Sequence, residues 1–160
     1  MKPEPLPPPT AELPREILGS WRLASREDYD AEGRRHIDPI LGGDPLGFLT
    51  FAPGAFAAQF MKRDRGASTL VQATAVQATA AGANNTGAVD GYDAYFGRYS
   101  VDAKEGVITT TIEGSISPAN IGLTLRRDIR AAGNRLWIRL ATTAADGTPV
   151  TRTLTFERVV

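Results

Sequence analysis

Alternation of apolar and polar positions recurs along most of the chain and predicts β-strands. In the first such stretch, SWRLASREDYD, Trp21 and Leu23 share one face. Two further runs, GFLTF and FAAQFMK, are joined by residues 52–55, a turn sequence with proline at its second position. We expect these runs to form a hairpin. Its strands offer apolar groups to both faces, so we also expect a second layer to cover one face.

The second half of the chain reads as a meander of strands. Turn sequences rich in Gly, Pro, Asn and Asp separate the segments YSVD, VITTTIEGSI, GLTLRRDIR, RLWIRLA and VTRTLTFERV. Regularly spaced strands of this kind are typical of an antiparallel barrel or sandwich. About eight strands close most naturally into a small barrel, whose interior is just wide enough for side chains or one small ligand.

Two short helices are predicted beside these strands. Tyr92, Tyr95 and Phe96 stand at helical spacing in GYDAYFGRYSVD, which predicts a short helix near residues 88–96 that leads directly into a strand. Near the amino terminus, TAELPREILG predicts a second short helix. It is either capped by Thr10 or begins at Leu13, because a proline such as the one that follows Leu13 is tolerated only in the first turn.

Two segments lack a clear pattern. Residues 1–9, MKPEPLPPP, hold five of the 11 prolines and predict a disordered, polyproline-like tail ahead of one domain over residues 10–160. Residues 62–90 are rich in Ala, Thr and Gln, so they form either a weak helix or a mobile flap.

Composition excludes several classes of function. The 160 residues carry no net charge, which gives no electrostatic case for nucleic acid or an anionic membrane as partner. The chain has no Cys and one His, His36, so we expect no metal and no cofactor. No apolar run approaches the ~18 residues of a membrane span, and no signal peptide is visible. We therefore expect a cytoplasmic protein, monomeric or homodimeric.

Four segments, in this order, resemble the lipocalin-like domain family of bacteria and fungi: DPLGFLTF, GYDAYFGRYSVD, IEGSISPANIG and LTFERV. The resemblance covers residues 16–160 and implies a calycin-type barrel with a small-molecule cavity. Gly19-Ser-Trp21 is similar to the G-x-W start of lipocalin-type barrels, in which the Trp closes one end of the barrel under a late Arg. Arg158 matches that Arg. The family often has a His in the strand before EGS, where this chain has threonines at 109–111, so an activity that needs that His would be absent.

Strand parity places one charged residue inside the barrel. Arg127 shares the apolar face of GLTLRRDIR, although a one-residue bulge would turn Arg126 inward instead. A buried guanidinium needs a partner or an anionic ligand. Glu113 is the expected partner, and the pair would either polarise a carbonyl or carboxylate or serve as a structural ion pair.

Four further side chains are candidates for ligand contact. Tyr99 shares a face with the inward Val101, so its hydroxyl either meets a ligand or bonds to backbone. Tyr95 would cover the cavity mouth or plug the closed end. Gln59 either orients a ligand or faces water, and Phe60 beside it offers an apolar wall. His36, flanked by arginines, is interpreted as a solvated loop residue.

The sequence therefore predicts a barrel that binds a small hydrophobic molecule in its central cavity. The alternative is a cofactor-free cyclase, isomerase or dehydratase acting on a polyketide- or terpenoid-like intermediate of natural-product biosynthesis. Its catalytic candidates are Tyr99, Glu113 and Arg127, which would polarise the substrate or shuttle a proton. A third possibility is a structural domain whose barrel is filled by its own side chains.

Overall fold

The computed structural model describes residues 3–65 and 85–160 of the chain. Within these ranges it contains nine strands, one short α-helix and one 3-10 turn at Pro118–Asn120. In chain order the elements are α1 (Leu13–Glu16), β1 (Gly19–Tyr29), β2 (Arg35–His36), β3 (Leu46–Ala52), β4 (Ala55–Met61), β5 (Tyr92–Asp102), β6 (Val107–Ser115), β7 (Thr124–Ala132), β8 (Arg135–Thr143) and β9 (Pro149–Arg158).

Eight of these strands close into an antiparallel barrel. Each strand from β3 to β8 pairs with the next strand in the chain, and β1 pairs with both β3 and β9, which completes the ring. The two-residue strand β2 pairs only with the end of β1, opposite Asp28 and Tyr29. The predicted fold, an all-β antiparallel lipocalin-like barrel of about eight strands, is confirmed.

The helix predicted near residues 88–96 is wrong, because residues 88–91 are not helical and strand β5 begins at Tyr92. Asp93, Tyr95 and Gly97 are buried at alternate positions, and the inward carboxylate at 93 hid this alternation in the sequence. Gly97 marks a register shift against β6 rather than a helix end. A Cβ at this position would lie 1.9 Å from the carbonyl oxygen of Thr111, so the strands can approach only with glycine here.

The closed end of the barrel is built on Trp21, which is fully buried. Its indole N–H donates to the carbonyl of Ile17, at 2.8 Å, just after α1. The Arg158 guanidinium lies 4.1 Å from the centroid of the indole and donates to the carbonyls of Leu18 and Glu16 at 2.8 and 2.7 Å. One arginine thus ties the last strand to the helix and to the first strand, in the arrangement that the resemblance implies.

Helix α1 is short, as predicted, and Pro14 lies in its first turn. It begins at Leu13, and no side chain caps it, so Thr10 is not its cap. Leu13 is buried with Trp21 in the apolar core. The predicted N-terminal helix is therefore present, and its function is to cover the closed end of the barrel.

Residues 3–9 form neither helix nor strand and run along the outer wall of the barrel, while disorder of the tail in solution stays a prediction. Most of the predicted weak helix or flap, residues 66–84, lies outside the described residues.

We expect Arg158→Ala to lower the free energy of unfolding by about 3 kcal/mol, since it removes a desolvated cation–π contact and two charged hydrogen bonds. Arg22→Ala is the matched control, because the Arg22 guanidinium lies 5.7 Å from the exposed ring of Phe48 and should contribute less than about 1 kcal/mol. Urea unfolding of both variants measures the difference. Equal effects would contradict the assigned closure.

Candidate functional site

A cavity of about 380 Å³ occupies the end of the barrel opposite Trp21. Its apolar wall is formed by buried side chains that include Leu41, Phe60, Ala88, Tyr95, Leu140 and Leu154. Its polar wall holds three arginines, at positions 26, 127 and 152, and three aspartates, at positions 28, 38 and 93. His36, Asn85 and Thr86 complete this wall. The cavity is therefore much richer in charge than the hydrophobic pocket predicted from the sequence.

The most deeply buried ion pair of the cavity joins the two strands that close the barrel. Arg152 of β9 donates to both carboxylate oxygens of Asp28 on β1, from Nε at 2.8 Å and from Nη2 at 2.9 Å. The side chains are 6% and 5% exposed. The third nitrogen, Nη1, donates to the side-chain oxygen of Asn85 at 2.9 Å. A buried pair of this kind holds only because its hydrogen bonds are well made.

A second, partly buried ion pair attaches the loop after β2 to the barrel. Arg26 donates from Nη2 to Asp38 at 3.0 Å. The other oxygen of Asp38 accepts the backbone N–H groups of Ile40 and Leu41. Burial opposes ionisation of Asp38, but Arg26 and these N–H donors outweigh it and hold the pKa of the carboxyl below its usual value. Burial also lowers the pKa of Arg26.

His36 belongs to the rim of the cavity and is not the solvated loop residue expected from the sequence. Its Nε2 lies 2.9 Å from Oδ2 of Asp30, whose side chain is 1% exposed. Arg34 donates to the same oxygen at 2.8 Å. The hydrogen bond with His36 is the largest effect on the pKa of Asp30, which lies far below its usual range. Burial alone would raise this pKa, but hydrogen bonds from the backbone and the side chain of Arg34 lower it further.

Asp93 is the carboxyl of the cavity that is least compensated. Burial raises its pKa to about 6, although the Thr86 hydroxyl, which donates to Oδ2, and the nearby Arg127 both favour the charged form. Its other oxygen, Oδ1, is buried and has no hydrogen-bond partner among the described residues. The cavity thus holds a carboxyl group that exchanges its proton close to neutral pH.

Three of the five residues predicted to contact a ligand line this cavity: Phe60, Tyr95 and Arg127. Tyr95 comes from strand β5, so it is a wall residue rather than a lid or plug. The strand β7 has no bulge at this point and Arg126 is exposed, so Arg127 is the arginine that faces the interior. Parity along a strand was sufficient to find it.

The other predicted site residues lie elsewhere. Tyr99 points inward but stands in the apolar half of the barrel, where its hydroxyl donates to the carbonyl of Ala52 at 2.9 Å. Gln59 is on the outer face and accepts a hydrogen bond from the Tyr92 hydroxyl. Glu113 also faces outward, 49% exposed. These three residues are not part of the cavity.

The predicted ion pair of Glu113 with Arg127 is wrong, because the two residues lie on opposite faces of the barrel wall. The nearest cation to Glu113 is Arg98 of β5, at 3.6 Å on the outer surface. The buried positions of β6 are Ile108, Thr110 and Ile112, so alternation along the strand places Glu113 on the outward face, whereas Arg127 faces inward.

The closed antiparallel barrel with a cavity at one end defines a class, the calycin-type barrels that bind small molecules. The comparison of sequences gives the family. The model of the lipocalin-like domain family matches residues 18–159, and the chain therefore belongs to this family. A search among curated proteins found no significant match.

The described residues contain neither a metal-binding cluster nor a membrane-spanning helix. No group of three or more His, Asp or Glu side chains among them is arranged to hold a metal ion. No helix in residues 3–65 or 85–160 is long and apolar enough to cross a membrane.

We expect Asp93→Asn to stabilise the protein at neutral pH and to lose this effect in acid. The unfolded carboxyl releases its proton near 3.8 and the folded one near 6, so between these values only the folded state binds the proton and stability falls as the pH rises. The advantage of the variant should grow by about 2 kcal/mol between about pH 4.5 and about pH 7.5.

The measurement is urea unfolding of both proteins at the two pH values. Asp146→Asn is the control, because the backbone N–H and hydroxyl of Thr148 lower the pKa of Asp146 and its titration lies below this range. A pH-independent effect of Asp93→Asn would show that the carboxyl titrates normally.

Proposed function

We propose that the chain binds a small organic molecule in the cavity, with an apolar body and a polar group such as a carbonyl or hydroxyl. One observation carries this proposal: a 380 Å³ cavity in which an apolar wall faces a wall of buried charged groups. This volume lies within the range of ligand pockets, toward its lower end. A barrel stabilised only by its own packing would fill this space with side chains, as the other half of the molecule does.

The polar groups fix the expected orientation of the ligand. Leu140, Leu154 and Phe60 contact the apolar body, while Arg127 donates hydrogen bonds to a carbonyl oxygen and Asp93 accepts one from a hydroxyl. Arg26 with Asp38 and Arg152 with Asp28 form the two ion pairs described above, and these pairs contribute a fixed polar surface. The proposed ligand is therefore amphipathic rather than purely hydrophobic.

We expect native mass spectrometry of the protein purified from its own host to show a bound molecule that is lost on denaturation. Arg127→Leu should weaken its retention by about tenfold or more, because a charged hydrogen bond is removed. Gln59→Ala, on the outer face of the neighbouring wall, should retain it fully. If the wild-type protein carries no molecule, or if both variants behave alike, the cavity is not the binding site.

A second candidate function is proton transfer on such a ligand, as in a cofactor-free isomerase, cyclase or dehydratase acting on a natural-product intermediate. The observation that favours it is Asp93, a buried carboxyl with a pKa of about 6. A general base is most efficient when its pKa lies near the working pH. Asp93 would remove a proton next to a carbonyl group, and Arg127 would stabilise the negative charge that develops on the oxygen.

We expect the co-purified molecule, incubated with the protein in deuterated water, to incorporate deuterium next to its carbonyl group. The rate should rise with pH through about 6, since the base must be ionised. Asp93→Asn should abolish the exchange while the molecule stays bound. Binding without exchange at any pH would leave the protein a binding barrel.

A further inference from the structure

The outer wall of the barrel carries a second candidate site, formed by β1, β8 and β9 on the face away from the cavity. Alternation along these strands sends Tyr29, Trp137, Arg139 and Thr153 outward. These side chains form one side of a groove on the outer wall, and residues 3–7 of the chain line its other side. The groove is not used by the proposed function of the cavity.

Arginine side chains of the barrel bind residues 3–7 by donating hydrogen bonds to backbone carbonyls of this segment. Arg139 donates from Nη2 to the carbonyl of Glu4 at 2.7 Å, while its Nε donates to the hydroxyl of Thr153 at 2.9 Å, which fixes the guanidinium. Arg130 of the next strand donates from Nε to the carbonyl of Pro7 at 2.8 Å. Charged donors aimed at free carbonyls suit a proline-rich chain, because such a chain has few N–H groups and makes no internal hydrogen bonds.

The backbone beside the groove is shaped to admit this contact. Arg130 also donates to the carbonyl of Gly106 at 2.7 Å. Gly106 has a φ of +66°, and a Cβ there would lie 1.9 Å from Nη1 of Arg130 and 2.9 Å from the Cβ of Pro9. Only glycine leaves room at this position for both the guanidinium and the proline.

The segment does not fill the groove. A cleft of about 290 Å³ remains between residues 3–7 and the barrel wall, with Trp137 and Tyr29 on its floor. Aromatic rings beside donors for carbonyl groups are the features by which several domains recognise the polyproline II helix. Because the contact depends on hydrogen bonds to the backbone, another proline-rich strand of the same conformation fits the same donors.

We propose that this groove is a binding site for proline-rich segments in the polyproline II conformation, and that residues 3–9 of the chain occupy it as an intramolecular ligand. Binding selects for backbone conformation and for carbonyl groups at the spacing of Glu4 and Pro7. A proline-rich segment presented by another molecule would compete with residues 3–9 for the groove.

The test uses the full chain in two forms, the natural one and one in which Pro3, Pro5 and Pro7 are replaced by glycine so that the groove is weakly occupied. A fluorescent peptide, KPEPLPPPT, is titrated with each form and followed by anisotropy. We expect saturable binding to the glycine form. Binding to the natural chain should be at least about tenfold weaker, since the tethered segment competes at a high effective concentration.

Two variants of the glycine form test the donors. Arg139→Ala should weaken binding of the peptide about tenfold or more, because a charged hydrogen bond is lost. Arg135→Ala, an exposed arginine on the same strand, is the matched control and should leave it unchanged. Arg130 is unsuitable for this test, since it also bonds to barrel carbonyls. Thermal unfolding establishes that each variant is folded.

A second peptide tests the conformation. The same sequence with glycine in place of each proline should bind at least about tenfold more weakly, because it must lose more chain entropy on binding. No binding of the proline peptide to the glycine form of the chain would overturn the proposal. Equal binding of the two peptides, or equal effects of Arg139→Ala and Arg135→Ala, would overturn it as well.

Discussion

The ion pair between Arg152 and Asp28 is the interaction on which the open end of the barrel depends. It joins β9 to β1, the two strands whose pairing closes the ring, at the level of the cavity. Loss of either partner would leave an uncompensated charge in the interior, which typically costs about 3–5 kcal/mol. The same pair prevents this end from collapsing into a dry core, because two buried ions must keep polar neighbours.

The barrel is therefore divided into two halves that are stabilised in different ways. Around Trp21 the interior is close-packed and apolar, with Phe51, Phe156 and Leu136 almost fully buried. Around Arg152 the interior is held by directed hydrogen bonds, and space remains. The apolar half supplies the hydrophobic stabilisation that carries the charged half, in which burial by itself is unfavourable.

The sequence predicts the barrel well because most inward positions are apolar. Alternation fails where an inward position is charged, since charges are assigned to the surface by default. Asp28 and Arg152, 124 residues apart, look like two ordinary surface residues until closure of the barrel brings them together. Asp93 is a further example: it is an inward, charged position, so the beginning of β5 was not predicted as a strand. Arg127 was found because its neighbours on the same face are apolar, and the same parity, applied to Phe60, would have placed Gln59 outside.

Asp93 is the residue that best distinguishes the two candidate functions, a binding barrel and an enzyme. A barrel that only encloses a ligand gains nothing from a carboxyl whose ionisation is disfavoured by burial, because a neutral amide would make similar hydrogen bonds without the loss of stability at neutral pH. A base for proton transfer, by contrast, needs a raised pKa and a cavity that excludes water. Groups that reduce stability are common where activity requires them. The polar wall of the cavity, and above all this carboxyl, therefore carries more information about function than the fold does.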